Sequence, residues 1–289
     1  MFRKLLLLLL PALLAGAAMA QKRTIPFNGG ALAFTESGRG KPLLLLHGGF
    51  QDGSMWAPQL AAYNKHFRVI NIDLPGHGNS VSGKGRPDAD SIILAVMDSL
   101  HLGKAAIVSL SFGSAIALEF ASRHPERVER LVMASPGMQG WDEVQKIDTS
   151  TMSAFANMMN ALERRDTVAA ARLFVQTWYA GPMRRTAQLP TTLRSYGLAT
   201  TLRNMRRHQV SGWPDFAKPY THVRVGQVQL PVLLLVGTKD MVEVDRVAQW
   251  LVKALPQARL EYFAGAAHML NLEQPAGFTA STLRFLLEK

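Results

Sequence analysis

A serine that is to act as a nucleophile needs a hydroxyl standing clear of the backbone and a base within reach. Ser109-Leu110-Ser111-Phe112-Gly113 offers such a place, because an apolar run ends there and a helical pattern begins. At a sharp strand-to-helix turn the flanking residues must be small, since backbones crowd there. Gly113 meets that need, and Ser114 and Ala115 extend the small stretch. Position 109, where a G-x-S-x-G pattern carries its first glycine, is serine, the next smallest polar residue, so the expected turn is strained but open. Taken alone the pentapeptide says little, because a serine ahead of a helix is ordinarily a cap.

The rest of an acyl-transfer apparatus must come from elsewhere: donors for a developing oxyanion, a base, and a group that orients the base. His47-Gly48-Gly49-Phe50 follows the first buried run, and its glycines can turn backbone N–H groups toward an oxyanion. The expected hole uses the N–H groups of Gly49 and Phe112, with His47 a structural loop residue. Asp240 ends Val236-Gly237-Thr238-Lys239-Asp240, and His268 ends Gly265-Ala266-Ala267-His268. Each follows a run that reads as a strand. The chain order Ser111, Asp240, His268 is one that nucleophile, acid and base adopt on an α/β scaffold. The 28 residues from 240 to 268 suffice for one helix and one strand between adjacent loops. The chemistry expected is two-step acyl transfer with Ser111 as nucleophile, His268 as base and Asp240 as its orienting carboxylate.

Those residues need a scaffold that brings several strand ends together. Arg23–Phe27 and Ala31–Glu36 flank Asn28-Gly29, a two-residue hairpin signal. Pro42–His47, Phe67–Asp73, Ala105–Leu110, Val128–Ala134, Pro231–Val236 and Arg259–Phe263 read as strands. Helices are expected over Pro87–Leu100, Phe112–Arg123, Val244–Ala254 and Gln274–Leu287. Alternating strands and helices predict an α/β fold with a doubly wound, mostly parallel sheet. In such sheets ligands sit beyond the carboxyl ends of the strands, where Ser111, Asp240 and His268 all fall. The stretch 136–226 is too long for a loop. Helical spacing over Met152–Leu162 and Thr167–Tyr179 makes it an inserted helical cap, between core parts 21–135 and 227–289. Met152, Phe155, Met158, Met159, Trp178 and Tyr179 are placed to line an apolar pocket, to pack the cap, or both.

On these landmarks the chain resembles the α/β-hydrolase family over residues 24–288. They are His47-Gly48-Gly49, Asp73-Leu74-Pro75-Gly76-His77-Gly78-Asn79-Ser80, the turn at Ser111, Val236–Asp240 and His268. The resemblance implies a serine hydrolase free of metal and organic cofactor, acting on a small to medium carboxylic ester or lactone. It also implies that Asp73 and His77 are structural. Relatives that carry an aspartate at the elbow, epoxide hydrolases and haloalkane dehalogenases, are disfavoured by Ser111. Hydrolysis of a C–C bond or perhydrolysis on the same residues, and a non-catalytic secreted binding protein, are the alternatives. Ser135-Pro136 leaves the alternative acid position of some relatives without a carboxylate.

Composition narrows the partners. The absence of cysteine excludes disulfides, thiolate metal sites and a cysteine nucleophile. The eight histidines show no H-E-x-x-H spacing, and Gly76 and Gly78 form no dinucleotide fingerprint. Arg3 and Lys4, an apolar run over Leu5–Leu14 and the ending Ala18-Met19-Ala20 have the anatomy of a secretory signal. Residues 1–20 are therefore expected to be cleaved after Ala20, leaving an exported protein, periplasmic or secreted, without stable membrane insertion. Lys and Arg then fall from 32 to 30 against 21 acids, a net charge of +9. Twelve basic against six acidic residues put +6 of that in 136–226. No basic run interleaved with aromatics marks a nucleic-acid surface, so a small-molecule substrate is the expected partner. Arg203, Arg206 and Arg207, at helical spacing, read as a solvated face.

Overall fold

The computed structural model describes residues 21–208 and 213–288; the expected signal segment, 1–20, lies outside them. Eight strands form one sheet: β1 (Gln21–Phe27), β2 (Gly30–Gly38), β3 (Lys41–Leu46), β4 (Phe67–Asp73), β5 (Ala105–Leu110), β6 (Val128–Ala134), β7 (Val232–Gly237) and β8 (Ala258–Phe263). Their order is β1-β2-β4-β3-β5-β6-β7-β8. β1 and β2 form the hairpin read from Asn28-Gly29, with Phe27 opposite Gly30. Asn28 and Gly29 have φ of 48° and 73°, as a type I′ turn requires. β2 also runs antiparallel to β4, and every later pairing is parallel.

Continuous aliphatic runs serve a sheet covered on both faces, because successive side chains point to opposite sides. Leu44, Leu46, Ile107, Met133 and Leu234 pack on one face against α2 (Ala89–Ser99), α3 (Phe112–Arg123) and α7 (Val242–Ala254). Leu43, Leu45, Val108, Val132 and Leu235 point the other way, toward α1 (Ala57–Tyr63) and α8 (Pro275–Leu286). Leu43 to Leu46 are wholly buried, the signature of a central strand.

Between β6 and β7 lie α4 (Thr149–Glu163), α5 (Thr167–Phe174) and α6 (Thr191–His208). Asp148 caps α4 by accepting from the Ser150 and Thr151 amides, and Asp166 caps α5 through the Ala169 amide. A single helix over Thr167–Tyr179 is expected from the periodicity, but from Val175 to Ala180 the chain widens into a π turn. That turn rotates Trp178 relative to an α-helical path, and such turns recur at functional sites. The inward positions of α6 mix Gly197, Thr200, Thr201 and Asn204 with Leu193 and Met205, so hydrophobic spacing marks it only weakly. No described helix is long and apolar enough to cross a membrane.

Candidate active site

Ser111 sits between the end of β5 and the first turn of α3 with φ 54° and ψ −112°. A β-carbon-bearing residue with positive φ costs roughly 1–3 kcal/mol and persists only where its surroundings over-determine it. Here the Ser111 amide donates to Ala134 O at 2.9 Å, and Ser111 O accepts from the Ser114 and Ala115 amides at 2.9 and 3.1 Å. Gly113 lets α3 start flush against β3: a Cβ there would lie 2.6 Å from both Leu46 O and His47 O. Serine at position 109 is accommodated. Its buried Oγ donates to Val132 O at 2.8 Å and lies 3.1 Å from Ser114 Oγ.

Asp240 follows β7 and His268 follows β8, and the structure brings the two together. His268 Nδ1 lies 2.9 Å from both carboxylate oxygens of Asp240. Both side chains are almost wholly buried, 4% and 1% exposed. One carboxylate oxygen also accepts from the Met241 amide at 2.7 Å, and His268 O accepts from Ser135 Oγ at 2.9 Å. With its proton on Nδ1 facing Asp240, the ring presents Nε2 as an acceptor. That atom is buried and has no hydrogen-bond partner among the described residues. His268 and Ser111 both border one cavity. Hydrogen bonds of this kind are often made only once substrate is in place.

His47 and His77 have their ring nitrogens committed elsewhere. His47 Nε2 accepts from the Leu74 amide at 2.9 Å, while Nδ1 faces Gly48 O at 2.8 Å. Burial pushes the His47 pKa down, against the opposing pull of Asp73. His77 Nε2 accepts from the Phe50 amide at 2.9 Å. That bond takes up the Phe50 N–H, whereas the N–H groups of Gly49 and Phe112 have no partner among the described residues. The two lie close, since a Cβ on Gly49 would sit 3.7 Å from Phe112 Cβ. Asp73 ties the neighbouring loops by accepting from the amides of Gly53 and Asn79, both at 2.8 Å.

The cavity over Ser111 holds about 250 Å³ and has no Lys, Arg, Asp or Glu in its wall among the described residues. Gly48, Gly49, Phe112 and His268 form its base, and Gln139 adds an amide. Phe155, Met158 and Trp178, three of the six cap residues singled out in the sequence, line it. Tyr179 is instead fully buried, its hydroxyl donating to Gln51 Oε1 at 2.6 Å, and Met159 packs in the core. Met152 stands 54% exposed. Phe174, Trp213 and Phe216 also line the cavity and were not foreseen. Trp213 stacks on Phe112 with ring centroids 4.7 Å apart and covers Gly49. No local motif marks it, because it reaches the site through the fold of the segment before β7. Arg203 and Arg207 border a different cavity, beside β1 and β2, where Arg203 pairs with Asp52 at 2.5 Å. Among the described residues no cluster of three metal-ligating side chains occurs.

A model of the α/β-hydrolase fold matches residues 41–275. A carboxylesterase of Bacillus subtilis is 28% identical over 262 residues, 84% of this chain and 79% of that protein. A 2-hydroxy-6-oxononadienedioate/2-hydroxy-6-oxononatrienedioate hydrolase of Burkholderia vietnamiensis is 28% identical over 271 residues, 88% of this chain and 90% of its own length. Among solved structures, the enol-lactonase of Burkholderia xenovorans superposes with a TM-score of 0.70 at 24% identity, over 92% of this chain and all of that one. At that identity the likeness speaks for the fold alone.

Proposed function

The chain belongs to the α/β-hydrolase fold family, and from that membership we propose that it is a serine hydrolase cleaving an uncharged carboxylic ester or lactone through an acyl-enzyme. The observation that carries the reading is the state of His268: Nδ1 is held by Asp240, and Nε2 is buried, unpartnered and on the cavity that Ser111 borders. A buried ring nitrogen without a partner costs about 1–3 kcal/mol. A fold that keeps one on a residue sharing a cavity with a strained serine is suited to take a proton there.

The mechanism follows from the geometry. His268 Nε2 removes the Ser111 proton as Oγ attacks the carbonyl carbon. The Gly49 and Phe112 amides receive the oxyanion, and Asp240 steadies the imidazolium. The tetrahedral species collapses as His268 gives its proton to the leaving oxygen. Water then enters and attacks the acyl carbon as it loses a proton to His268, and the acid departs as His268 returns that proton to Ser111 Oγ.

The cavity supports the substrate class. Its volume of about 250 Å³ suits a small to medium ester. Seven aromatic side chains (Phe50, Phe112, Phe155, Phe174, Trp178, Trp213 and Phe216) line it without a single Lys or Arg. An anionic group would lose its hydration there and gain no partner. That weighs against a dioate such as the one named for the Burkholderia vietnamiensis relative, and so against C–C bond hydrolysis of that kind.

The test is labelling with a fluorophosphonate followed by peptide mass analysis, together with a panel of neutral and anionic esters. Label on Ser111 and turnover of neutral arylalkanoyl esters are expected. Turnover without labelling, or label elsewhere, refutes the reading. We extend the proposal to export after cleavage behind Ala20, on the basic start at Arg3-Lys4, the apolar run Leu5–Leu14 and the ending Ala18-Met19-Ala20. A mature N-terminus other than Gln21 in the exported protein would overturn that part.

A further inference from the structure

Arg184 lies outside the cavity, yet its guanidinium bridges the helical segment above the site and the loop that carries His268. It stands just beyond the π turn, after Gly181-Pro182-Met183. Its Nε donates to Ala180 O at 2.7 Å and its Nη2 to Tyr179 O at 3.1 Å, closing the carbonyl end of the turn that bears Trp178. Its Nη1 lies 2.8 Å from Glu273 Oε2 and 3.4 Å from Gly265 O. The other oxygen of Glu273 accepts from the Ala267 amide, the residue before His268, at 2.7 Å. Glu273 is 8% exposed and Arg184 21%, so the pair is sheltered from water.

The same turn presses on the Asp240 side. Gly181 has φ 76°, and a Cβ on it would lie 2.1 Å from Lys239 O and 3.1 Å from Ala267 Cβ. Lys239 in turn donates its amide to Ala266 O at 2.8 Å. The backbone segments before Asp240 and before His268 are therefore clasped to each other and to the end of the π turn. Phe174, just ahead of that turn, and Trp178, within it, stack with ring centroids 4.8 Å apart and form part of the cavity wall.

Resting on the serine-hydrolase reading above, we infer that Arg184, through Glu273, is a positioning residue that couples the Trp178 wall to the placement of His268. An acyl group that fills the wall fixes the π turn, and Arg184 transmits that restraint to the Ala267 amide. Binding energy gained far from the reacting carbonyl is thereby spent on aligning the base. A bidentate guanidinium suits the task, because its planar fork holds two partners in fixed relation.

The experiment compares wild type with Arg184→Gln, Arg184→Lys, Glu273→Gln and Trp178→Ala. Each is assayed on an acetyl ester and on a phenylpropanoyl ester of the same alcohol, with fluorophosphonate labelling rates and thermal melts alongside. Expected for Arg184→Gln is a fall in kcat of about ten- to a hundredfold on the larger ester with KM within about threefold, as for a misplaced reacting group. On the acetyl ester, which does not reach Trp178, the loss is under about fivefold. Arg184→Lys recovers part of the rate. Trp178→Ala combined with Arg184→Gln costs no more on the larger ester than either alone, as coupled sites do. The downfield proton signal of His268 Nδ1, sharp in wild type with a bound acyl phosphonate, broadens in Arg184→Gln. If Arg184→Gln does not fold, Glu273→Gln and Arg184→Lys carry the same comparison. Equal losses on both esters, or strictly additive double variants, overturn the inference. So do labelling rates unchanged in every folded variant. Failure of wild type to be labelled at all counts against the serine-hydrolase reading instead.

Discussion

Gly113→Ala puts a single methyl group where the elbow helix meets the sheet. In a helix the change should help, since alanine is favoured over glycine by about 0.8–1 kcal/mol. The structure opposes it. The new Cβ would lie 2.6 Å from Leu46 O and His47 O and 2.8 Å from Leu46 C, all backbone atoms that cannot rotate away. Reaching a tolerable 3.0–3.4 Å requires α3 to withdraw from β3 by about 0.4–0.8 Å. Overpacking of that kind costs about 1–3 kcal/mol, so stability should change by between roughly nothing and a 2 kcal/mol loss. For a chain of this size that is a melting shift of at most about 8 °C. Activity should suffer far more, because the displaced segment carries both Ser111 and the Phe112 N–H. A shift approaching 1 Å at reacting groups costs about a hundredfold, and loss of one oxyanion donor about 10²–10³. The assay is kcat and KM on a neutral ester beside a thermal melt, with Gly103→Ala as control, where an added Cβ meets nothing within 4 Å. A Gly113→Ala protein with kcat within about threefold of wild type would falsify the placement of Phe112 N–H at the oxyanion.

Other outcomes follow from single contacts. Asp240→Asn should cut kcat by about 10⁴ by removing the carboxylate that holds the His268 tautomer, and an active-site titration with normal turnover would refute it. Ser109→Ala removes a hydroxyl bonded to Val132 O and should cost about 1–2 kcal/mol in urea unfolding while kcat stays within about threefold; a large kcat loss at full stability would contradict this. For Asp52, burial would raise the carboxyl pKa, but hydrogen bonds from Ser54, Arg203 and Asn204 outweigh it and hold the pKa well below the ordinary range. Its stabilisation is thus full above the unfolded value of about 4 and fades as pH falls through the lower folded value. The wild type should exceed Asp52→Asn by about 2 kcal/mol at pH 7 and by progressively less below about pH 4; a gap that widens in acid would reverse the sign. Since Arg203 pairs with Asp52 away from the cavity, neutral and anionic esters should show the same salt dependence of kcat/KM, and a steeper slope for the anion would put the arginines in the substrate path.

The strands and their order of use were written locally. Leu43 to Leu46, Ala105 to Leu110 and Val232 to Val236 are apolar without alternation, and only a sheet covered on both faces buries such runs. Asn28-Gly29 demanded a hairpin, and small residues around Ser111 demanded a tight strand-to-helix turn. Ser111, Asp240 and His268 could be singled out because each follows a run that reads as a strand, and parallel strands deliver their carboxyl ends to one edge of the sheet. Tertiary structure alone decided what surrounds them. The π turn at Val175–Ala180 is not signalled by hydrophobic spacing, which suits an α-helix equally well there. Trp213 lies 102 residues from Ser111 and reaches Phe112 only because the segment before β7 folds back over the site. The choice of Gly49 over Phe50 as the free amide depended on His77, whose ring comes from the loop after β4 to take the Phe50 N–H. Local sequence carries periodicity and turn chemistry. Which donors stay unpaired and which rings wall a cavity are set by contacts between segments a hundred residues apart, and these exist only once the sheet has assembled.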